Sequence, residues 1–132
     1  MNKIETVYII DDDDVYAYAV QRLISIQKLC NNVEVFKNGK EAIDFFTNSS
    51  LEIDTSSNII LLDVRMPVMN GWEFLESFMK LDYATKDNFD LYMISSSIDP
   101  KDTKKAAEIP LIKMYIFKPI TFDDLKLVFN KE

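Results

Sequence analysis

The 132-residue chain contains no histidine and one cysteine, Cys30. The lack of histidine excludes histidine-based catalytic triads, most zinc sites and any role as a phosphohistidine donor. One cysteine cannot form an intramolecular disulfide, and its place at the end of an apolar helical run predicts a buried or half-buried thiol. Only Gly39 and Gly71 are present, so neither the G-x-x-x-x-G-K-[ST] loop of nucleotide hydrolases nor the G-x-G-x-x-G loop of dinucleotide binders can be built.

The sequence also lacks a signal-peptide pattern and any apolar run of membrane-spanning length. We therefore expect a cytoplasmic protein without a membrane partner. Acidic residues number 22 against 15 basic ones, for a net charge of -7. This balance disfavours nucleic acid as the principal ligand, because phosphate backbones need clustered Lys and Arg. Apolar residues make up 48% of the chain, which is enough for one core, and we predict a single domain over residues 1–132.

Short apolar runs alternate with amphipathic segments from end to end. The predicted strands cover residues 7–10, 33–36, 59–62, 91–94 and 115–117, and polar loops are predicted over 47–58 and 82–90. Residues 7–10 and 59–62 are continuously apolar, which is typical of strands covered on both faces. Five strand–helix units in series predict an α/β fold with a parallel sheet and helices on both sides.

The predicted helices carry apolar residues at helical spacing. The first covers residues 14–29, with an apolar stripe of Val15, Ala19, Val20, Leu23 and Ile24. The others carry Ala42, Phe45 and Phe46; Phe74, Leu75, Phe78 and Met79; the charged segment 100–108; and Leu125, Val128 and Phe129. The segment 100–108 is poorly amphipathic, so we interpret its lysines as a solvated face.

Polar side chains follow the predicted strands at their carboxyl ends, the edge where open parallel sheets bind ligands. They are Asp11 to Asp14 after the first strand, Asp63 after the third, Ser95 to Ser97 after the fourth, and Lys118 after the fifth. Crowded carboxylates resist simultaneous ionisation unless a cation lies among them, and oxygen ligands without His or thiolate favour Mg²⁺. A metal with a lysine suits a phosphoryl group, and an aspartate can itself be the nucleophile. The residues therefore predict metal-assisted phosphoryl transfer to a carboxylate.

Four segments, in order and nearly spanning the chain, resemble the receiver domain of response regulators. They are Tyr8-Ile9-Ile10-Asp11-Asp12-Asp13, the run from Leu61 through Asp63 and Met66-Pro67 to Gly71, Ile94-Ser95-Ser96, and Tyr115-Ile116-Phe117-Lys118-Pro119. The resemblance implies a doubly wound, flavodoxin-like (βα)5 fold with a five-stranded parallel sheet of order 2-1-3-4-5. It also implies a cis Lys118-Pro119 bond and similarity to stand-alone chemotaxis regulators.

By this resemblance Asp63 is the phosphoacceptor. Mg²⁺ would be bound directly by Asp12 and Asp63, mainly through water by Asp11, and by the backbone carbonyl of Arg65. Ser95 would hydrogen-bond a phosphoryl oxygen and Lys118 would pair with the phosphate. Tyr115 matches an aromatic that swings inward in the switched state. Arg65 and Ser97 lie at positions that vary in the family and tune the lifetime of its acyl phosphate.

Structural roles compete with some of these assignments. We interpret Asp14, and with less reason Asp13, as the start of a helix, where carboxylates cap free N–H groups. Tyr115 fits core packing nearly as well as a switch role. Trp72 is assigned to the core or to no specific role.

Two classes of function remain to be compared with a phosphorylation switch. A haloacid-dehalogenase-type phosphohydrolase needs a second Asp two residues after the nucleophile, and Arg65 stands there. A receiver-fold docking module that ignores phosphorylation stays open, although the acidic residues, the acceptor and the lysine are all present.

We expect no enzyme beyond self-catalysed phosphorylation and slow autodephosphorylation. The expected partners are a sensor histidine kinase or histidine phosphotransfer protein, and a downstream protein that binds the 100–132 face. No output domain follows in the sequence, so we expect a free-standing regulator, a phosphorelay shuttle or one domain cut from a larger protein, and the initial Met1 favours the first two.

Overall fold

Five parallel strands form one sheet in the order β2-β1-β3-β4-β5. The computed structural model describes residues 4–48, 57–81, 89–96 and 99–129. The strands are β1 (Ile4–Ile10), β2 (Cys30–Phe36), β3 (Ser57–Asp63), β4 (Phe89–Ser95) and β5 (Ile112–Phe117). Each neighbouring pair is parallel. The expected flavodoxin-like strand order is confirmed.

The helices cover both faces of this sheet. They are α1 (Asp14–Ile26), α2 (Gly39–Asn48), α3 (Gly71–Phe78), α4 (Pro100–Ala107) and α5 (Phe122–Phe129). Helices α1 and α5 pack on one face, around Val20 and Leu125. Helices α2, α3 and α4 pack on the other, which confirms the doubly wound arrangement. Within the described ranges, no helix is both long enough and apolar enough to span a membrane.

The larger core cluster is aromatic. The Phe46 ring lies 5.0 Å from that of Tyr8, 5.2 Å from that of Phe78 and 5.9 Å from that of Phe89, measured between centroids. Such edge-to-face pairs add to the free energy gained from burial. This cluster fixes α2 and α3 on the sheet, and so fixes the loop between β3 and α3 that leads from the acceptor strand.

The predicted apolar stripe of α1 is partly wrong. Val20 and Ile24 are buried, as expected, but the third buried residue is Ala17. Val15 is 80% exposed and Leu23 37% exposed, and Ala19 also faces solvent. Apolar residues lie on both sides of this helix, so spacing did not identify the side that faces the sheet. The helix therefore presents an apolar outer surface at its first turn.

Several predicted bounds also change. Helix α1 ends at Ile26 instead of residue 29, and the half-buried Cys30 is the first residue of β2. Helix α3 ends at Phe78, so Met79 is a half-exposed C-cap, and Phe45 is only half-buried against the aromatic cluster. The strands are longer than the apolar runs, because pairing continues to buried polar residues such as Asn58 and Asp90. Most of both predicted loops, residues 49–56 and 82–88, and Ser97 lie outside the described residues.

Candidate functional site

The carboxyl ends of β1 and β3 bring three aspartates together. One carboxylate oxygen from each of Asp11, Asp12 and Asp63 lies within 4.8 Å of the others. Asp11 and Asp63 are buried, whereas Asp12 is exposed. The backbone N–H of Asp13 donates to Asp11 Oδ1 at 2.9 Å, which orients that carboxylate. The predicted acidic cluster therefore forms because adjacent parallel strands end at the same edge.

Lys118 lies between the two buried carboxylates. Its Nζ is 3.0 Å from Asp11 Oδ2 and 3.5 Å from Asp63 Oδ2. Burial lowers the pKa of Lys118. The hydrogen bond to Asp11 and the charges of both aspartates raise it by more, so the net pKa lies above its ordinary value. The lysine is therefore a fixed positive charge beside Asp63.

The electrostatics of Asp63 are those of a crowded acid. Burial and the nearby charge of Asp11 raise its pKa to about 7, while Lys118 and a backbone hydrogen bond from Arg65 lower it. An additional cation at this edge would favour the ionised form. The carboxylate is thus poised between its protonated and nucleophilic states near neutral pH.

Ser95 and Tyr115 lie on the neighbouring strands. Ser95 is fully buried at the end of β4, and its backbone carbonyl accepts the N–H of Lys118 at 2.8 Å. Tyr115 is half-buried on β5, and its ring lies 5.5 Å from that of Phe117. The Lys118-Pro119 peptide bond is cis, as the resemblance implied. The structure brings Ser95 beside the lysine, whereas the proposed switch role of Tyr115 stays a prediction.

The three carboxylates fit a hard divalent cation. Opposite ligands of an octahedral Mg²⁺ are about 4.2 Å apart, twice its bond length of about 2.1 Å. The spread of up to 4.8 Å among the three oxygens can be met by a small movement or a bridging water. The backbone carbonyl of Arg65 stays a predicted further ligand. The residues present therefore fit Mg²⁺.

Asp13 and Asp14 have a structural role at the start of α1, as we expected, but the capping residue is Asp13 and not Asp14. Asp13 is the N-cap of α1, and its side chain accepts the N–H of Tyr16 at 3.1 Å. Asp14 is the first helical residue and does not cap the helix. The cap begins the helix directly after Asp12, which fixes the end of β1 relative to α1.

Tyr16 is a site residue that the sequence analysis missed. The ammonium of Lys118 lies 4.4 Å from the centroid of its ring, and its hydroxyl accepts the Ile120 N–H at 3.2 Å. Burial raises the pKa of the phenol. The signal that could have found it is its position in the first turn of α1, four residues after Asp12. Tyr16 therefore connects α1 to the segment that follows β5 and supports Lys118.

The two contacts of Tyr16 can be separated by substitution. Tyr16→Phe keeps the ring under Lys118 but leaves the Ile120 N–H without its acceptor, so we expect a loss of about 1–2 kcal/mol in the free energy of unfolding. Tyr16→Leu also removes the cation–π contact and should cost more. Urea unfolding measures both. The matched control is Tyr18→Phe on the same helix, where the side chain is 60% exposed and a change within about 0.5 kcal/mol is expected. Equal effects at the two tyrosines would contradict this assignment.

Arg65 and Trp72 also have contacts that the sequence did not indicate. The Arg65 guanidinium pairs with Asp102 of α4, and the Trp72 indole donates to the same carboxylate. The Arg65 side chain therefore points toward α4. It is a guanidinium at the position, two residues after Asp63, where a dehalogenase-type phosphohydrolase needs an aspartic acid. Trp72 has a specific polar partner instead of the unspecific role that we expected.

Comparisons with known proteins agree with this geometry. A family model of the response regulator receiver domain matches residues 7–130. The crystal structure of a two component response regulator from Cytophaga hutchinsonii is similar with a TM-score of 0.86 and 29% identity, covering 98% of this chain and 96% of that one. A response regulator receiver protein from Dyadobacter fermentans is 30% identical with a TM-score of 0.81, covering 94% of each chain.

Two curated proteins are more distant. The chain is 22% identical over 120 residues to the "Probable methanogenesis regulatory protein FilR2" of Methanothrix harundinacea. This match covers 91% of this chain and 76% of that protein. It is 25% identical over 123 residues to the "Transcriptional regulatory protein CitT" of Halalkalibacterium halodurans, again covering 91% of this chain. The match spans only 48% of the second protein.

The fold and the strand-end cluster define a receiver domain. The family match extends over most of the sequence, and the chain belongs to the response-regulator receiver family, whose members serve two-component signalling.

Proposed function

We propose that Asp63 accepts a phosphoryl group from a phosphohistidine of a partner protein, with Mg²⁺ bound at the acidic cluster. The observation that carries the proposal is the position of Lys118, 3.5 Å from Asp63 and 3.0 Å from Asp11 at the carboxyl edge of the sheet. These 132 residues contain no histidine, so the donor lies outside them. A sensor histidine kinase or a histidine phosphotransfer protein has the required chemistry.

In the proposed transfer, a carboxylate oxygen of Asp63 attacks phosphorus and forms an acyl phosphate. The bond between phosphorus and the donor imidazole nitrogen breaks, and its electron pair stays on the imidazole. Lys118 neutralises charge on the phosphoryl oxygens, and the buried Ser95 hydroxyl is the candidate to orient one of them. Mg²⁺, held by Asp11, Asp12, Asp63 and the Arg65 carbonyl, would supply further charge neutralisation.

The consequence of phosphorylation is a shift between two conformations of the domain. In this proposal Ser95 and Tyr115 carry the shift toward α4, β5 and α5. Met114, Phe117, Phe122 and Leu127 leave apolar surface exposed on these elements, which suits a downstream protein partner. Catalysis by the domain would be limited to its own phosphorylation and slow dephosphorylation, and we place the switch in the cytoplasm.

Intact mass spectrometry tests the phosphoacceptor. The protein is incubated with acetyl phosphate, with Mg²⁺ or with EDTA, as wild type, as Asp63→Asn and as Asp90→Asn. Asp90 is the matched control because it is buried but lies near the opposite end of β4, paired with Ile59. We expect one phosphoryl adduct in wild type and in Asp90→Asn, only with Mg²⁺, and none in Asp63→Asn.

An adduct that persists in Asp63→Asn would exclude this residue as the acceptor. If folded wild-type protein forms no adduct, beryllofluoride binding would distinguish between two explanations. Binding of beryllofluoride with Mg²⁺ would identify a receiver that refuses the small donor. Failure to bind it would favour the docking module that signals without phosphorylation.

A further inference from the structure

A buried carboxylate on α4 joins three elements. Asp102 is the third residue of this helix and is 7% exposed. Its Oδ2 accepts Arg65 Nη2 at 2.6 Å, and its Oδ1 accepts Trp72 Nε1 at 3.1 Å. Each carboxylate oxygen therefore has a donor from a different part of the chain: the β3–α3 loop in one case and α3 in the other.

Helix α4 depends on this carboxylate for its position. Of its eight residues, only Asp102 and Ala106 are buried. One small methyl group gives little hydrophobic stabilisation, so the directional contacts of Asp102 carry much of the attachment. Lys105 adds a weaker contact, with its ammonium 4.6 Å from the centroid of the Trp72 ring. A helix held mainly by polar contacts can change position with little loss of packing.

Arg65 connects the same carboxylate to the acceptor. Its backbone donates a hydrogen bond to Asp63, two residues earlier, while its guanidinium pairs with Asp102. The guanidinium is about half exposed, whereas Asp102 is buried, so the geometry of the pair is fixed from the α4 side. A displacement of the acceptor loop must therefore move or break the Arg65–Asp102 contact.

We infer that Asp102 is a positioning residue that couples the acceptor loop to α4 through Arg65. The inference rests on the proposed function for the identity of the ligand at Asp63. A ligand that moves the loop changes the position of α4, and, by reciprocity, a partner that holds α4 changes the affinity of the acceptor site. Trp72 holds the second oxygen of Asp102 and so keeps the carboxylate aimed at Arg65.

Hydrogen exchange and calorimetry test the coupling in the full chain. The variants are Asp102→Asn and Arg65→Gln, and the control is Glu108→Gln, which removes an exposed carboxylate that follows the same helix. In Asp102→Asn we expect faster exchange in α4 and also in the β3–α3 loop, residues 64–70. We expect Mg²⁺ to bind about fivefold more weakly or worse, as coupling free energies of this class imply. Glu108→Gln should match wild type in all three measurements.

Arg65→Gln is the second variant and keeps Asp102. The Arg65 side chain is about half exposed, so this change is expected to preserve the fold even if Asp102→Asn does not. It should change both segments in the same direction, and Arg65→Lys should restore part of the Mg²⁺ affinity. Faster exchange in α4 with an unchanged loop and unchanged Mg²⁺ affinity would overturn the inference and leave Asp102 as a helix anchor only. If wild type binds no Mg²⁺, the proposed metal site fails, and exchange in the loop then decides the coupling by itself.

Discussion

Asp63→Asn is expected to stabilise the metal-free protein at pH 8 while it abolishes phosphorylation. Burial and Asp11 raise the pKa of Asp63 to about 7, whereas an aspartate in the unfolded chain has a pKa of about 3.9. The folded state therefore binds this proton more tightly than the unfolded state. The stabilising effect of this bound proton is fully present below pH 4 and is lost as the pH rises through 7. Each pKa unit corresponds to about 1.4 kcal/mol, so removing the charge should add roughly 2–4 kcal/mol at pH 8.

Urea unfolding in EDTA at pH 5 and pH 8 measures this effect. The stability difference between Asp63→Asn and wild type should be larger at pH 8, where the wild-type carboxylate is ionised. Mg²⁺ should then stabilise wild type and have much less effect on the variant. Asp44→Asn is the control, because Asp44 is exposed on α2 and pairs with Lys40 across one turn. A difference between Asp63→Asn and wild type that does not change with pH would contradict the raised pKa.

Gly71→Ala is expected to damage both the fold and the acceptor. A Cβ at this position would lie 2.5 Å from the carbonyl oxygen of Asp63 and 3.0 Å from Val64 Cα. Both neighbours are backbone atoms, so relief requires α3 or the end of β3 to move. We expect a loss of about 3 kcal/mol in the free energy of unfolding. Displacement of Asp63 by about 1 Å should slow phosphorylation by acetyl phosphate about 100-fold.

The control at the same helix start is Asn70→Ala. Asn70 is the N-cap of α3, where its side chain accepts the Glu73 N–H and the Glu73 side chain accepts the Asn70 N–H. Its loss should cost about 1 kcal/mol without pushing any atom against Asp63. Phosphorylation rates are compared by mass spectrometry under conditions in which every variant is folded. A Gly71→Ala protein that reacts at the wild-type rate would show that the acceptor strand tolerates the added carbon.

The sequence predicted the parts of the site that follow from strand direction. Asp11, Asp63, Ser95 and Lys118 each come at or directly after the end of a strand, and parallel strands bring such residues to one edge whatever their separation along the chain. The cis bond before Pro119 and the strand order came from the family resemblance. These features depend on local motifs, so they could be predicted before any packing was known.

Features that depend on packing were predicted less well. The phase of α1 was partly wrong because Val15 and Leu23 are as apolar as the residues that are buried. Tyr16 reaches Ile120 across 104 positions, and Arg65 reaches Asp102 across 37. No local pattern marks such pairs, because each side chain alone resembles an ordinary helix or loop residue. Only the folded chain shows that a lysine-rich helix is held by one buried acid.

The order of synthesis gives Lys118 a further significance. The acidic residues of the site come from the first half of the chain, whereas the lysine that neutralises them follows the last strand. A growing chain that ends before β5 would place two buried carboxylates together without their cation, and this opposes closure of the sheet edge. We therefore expect truncated or nascent chains to remain open at this edge. Assembly of the acceptor site would then accompany the final folding step, so that chains still being made are poor substrates for a phosphoryl donor.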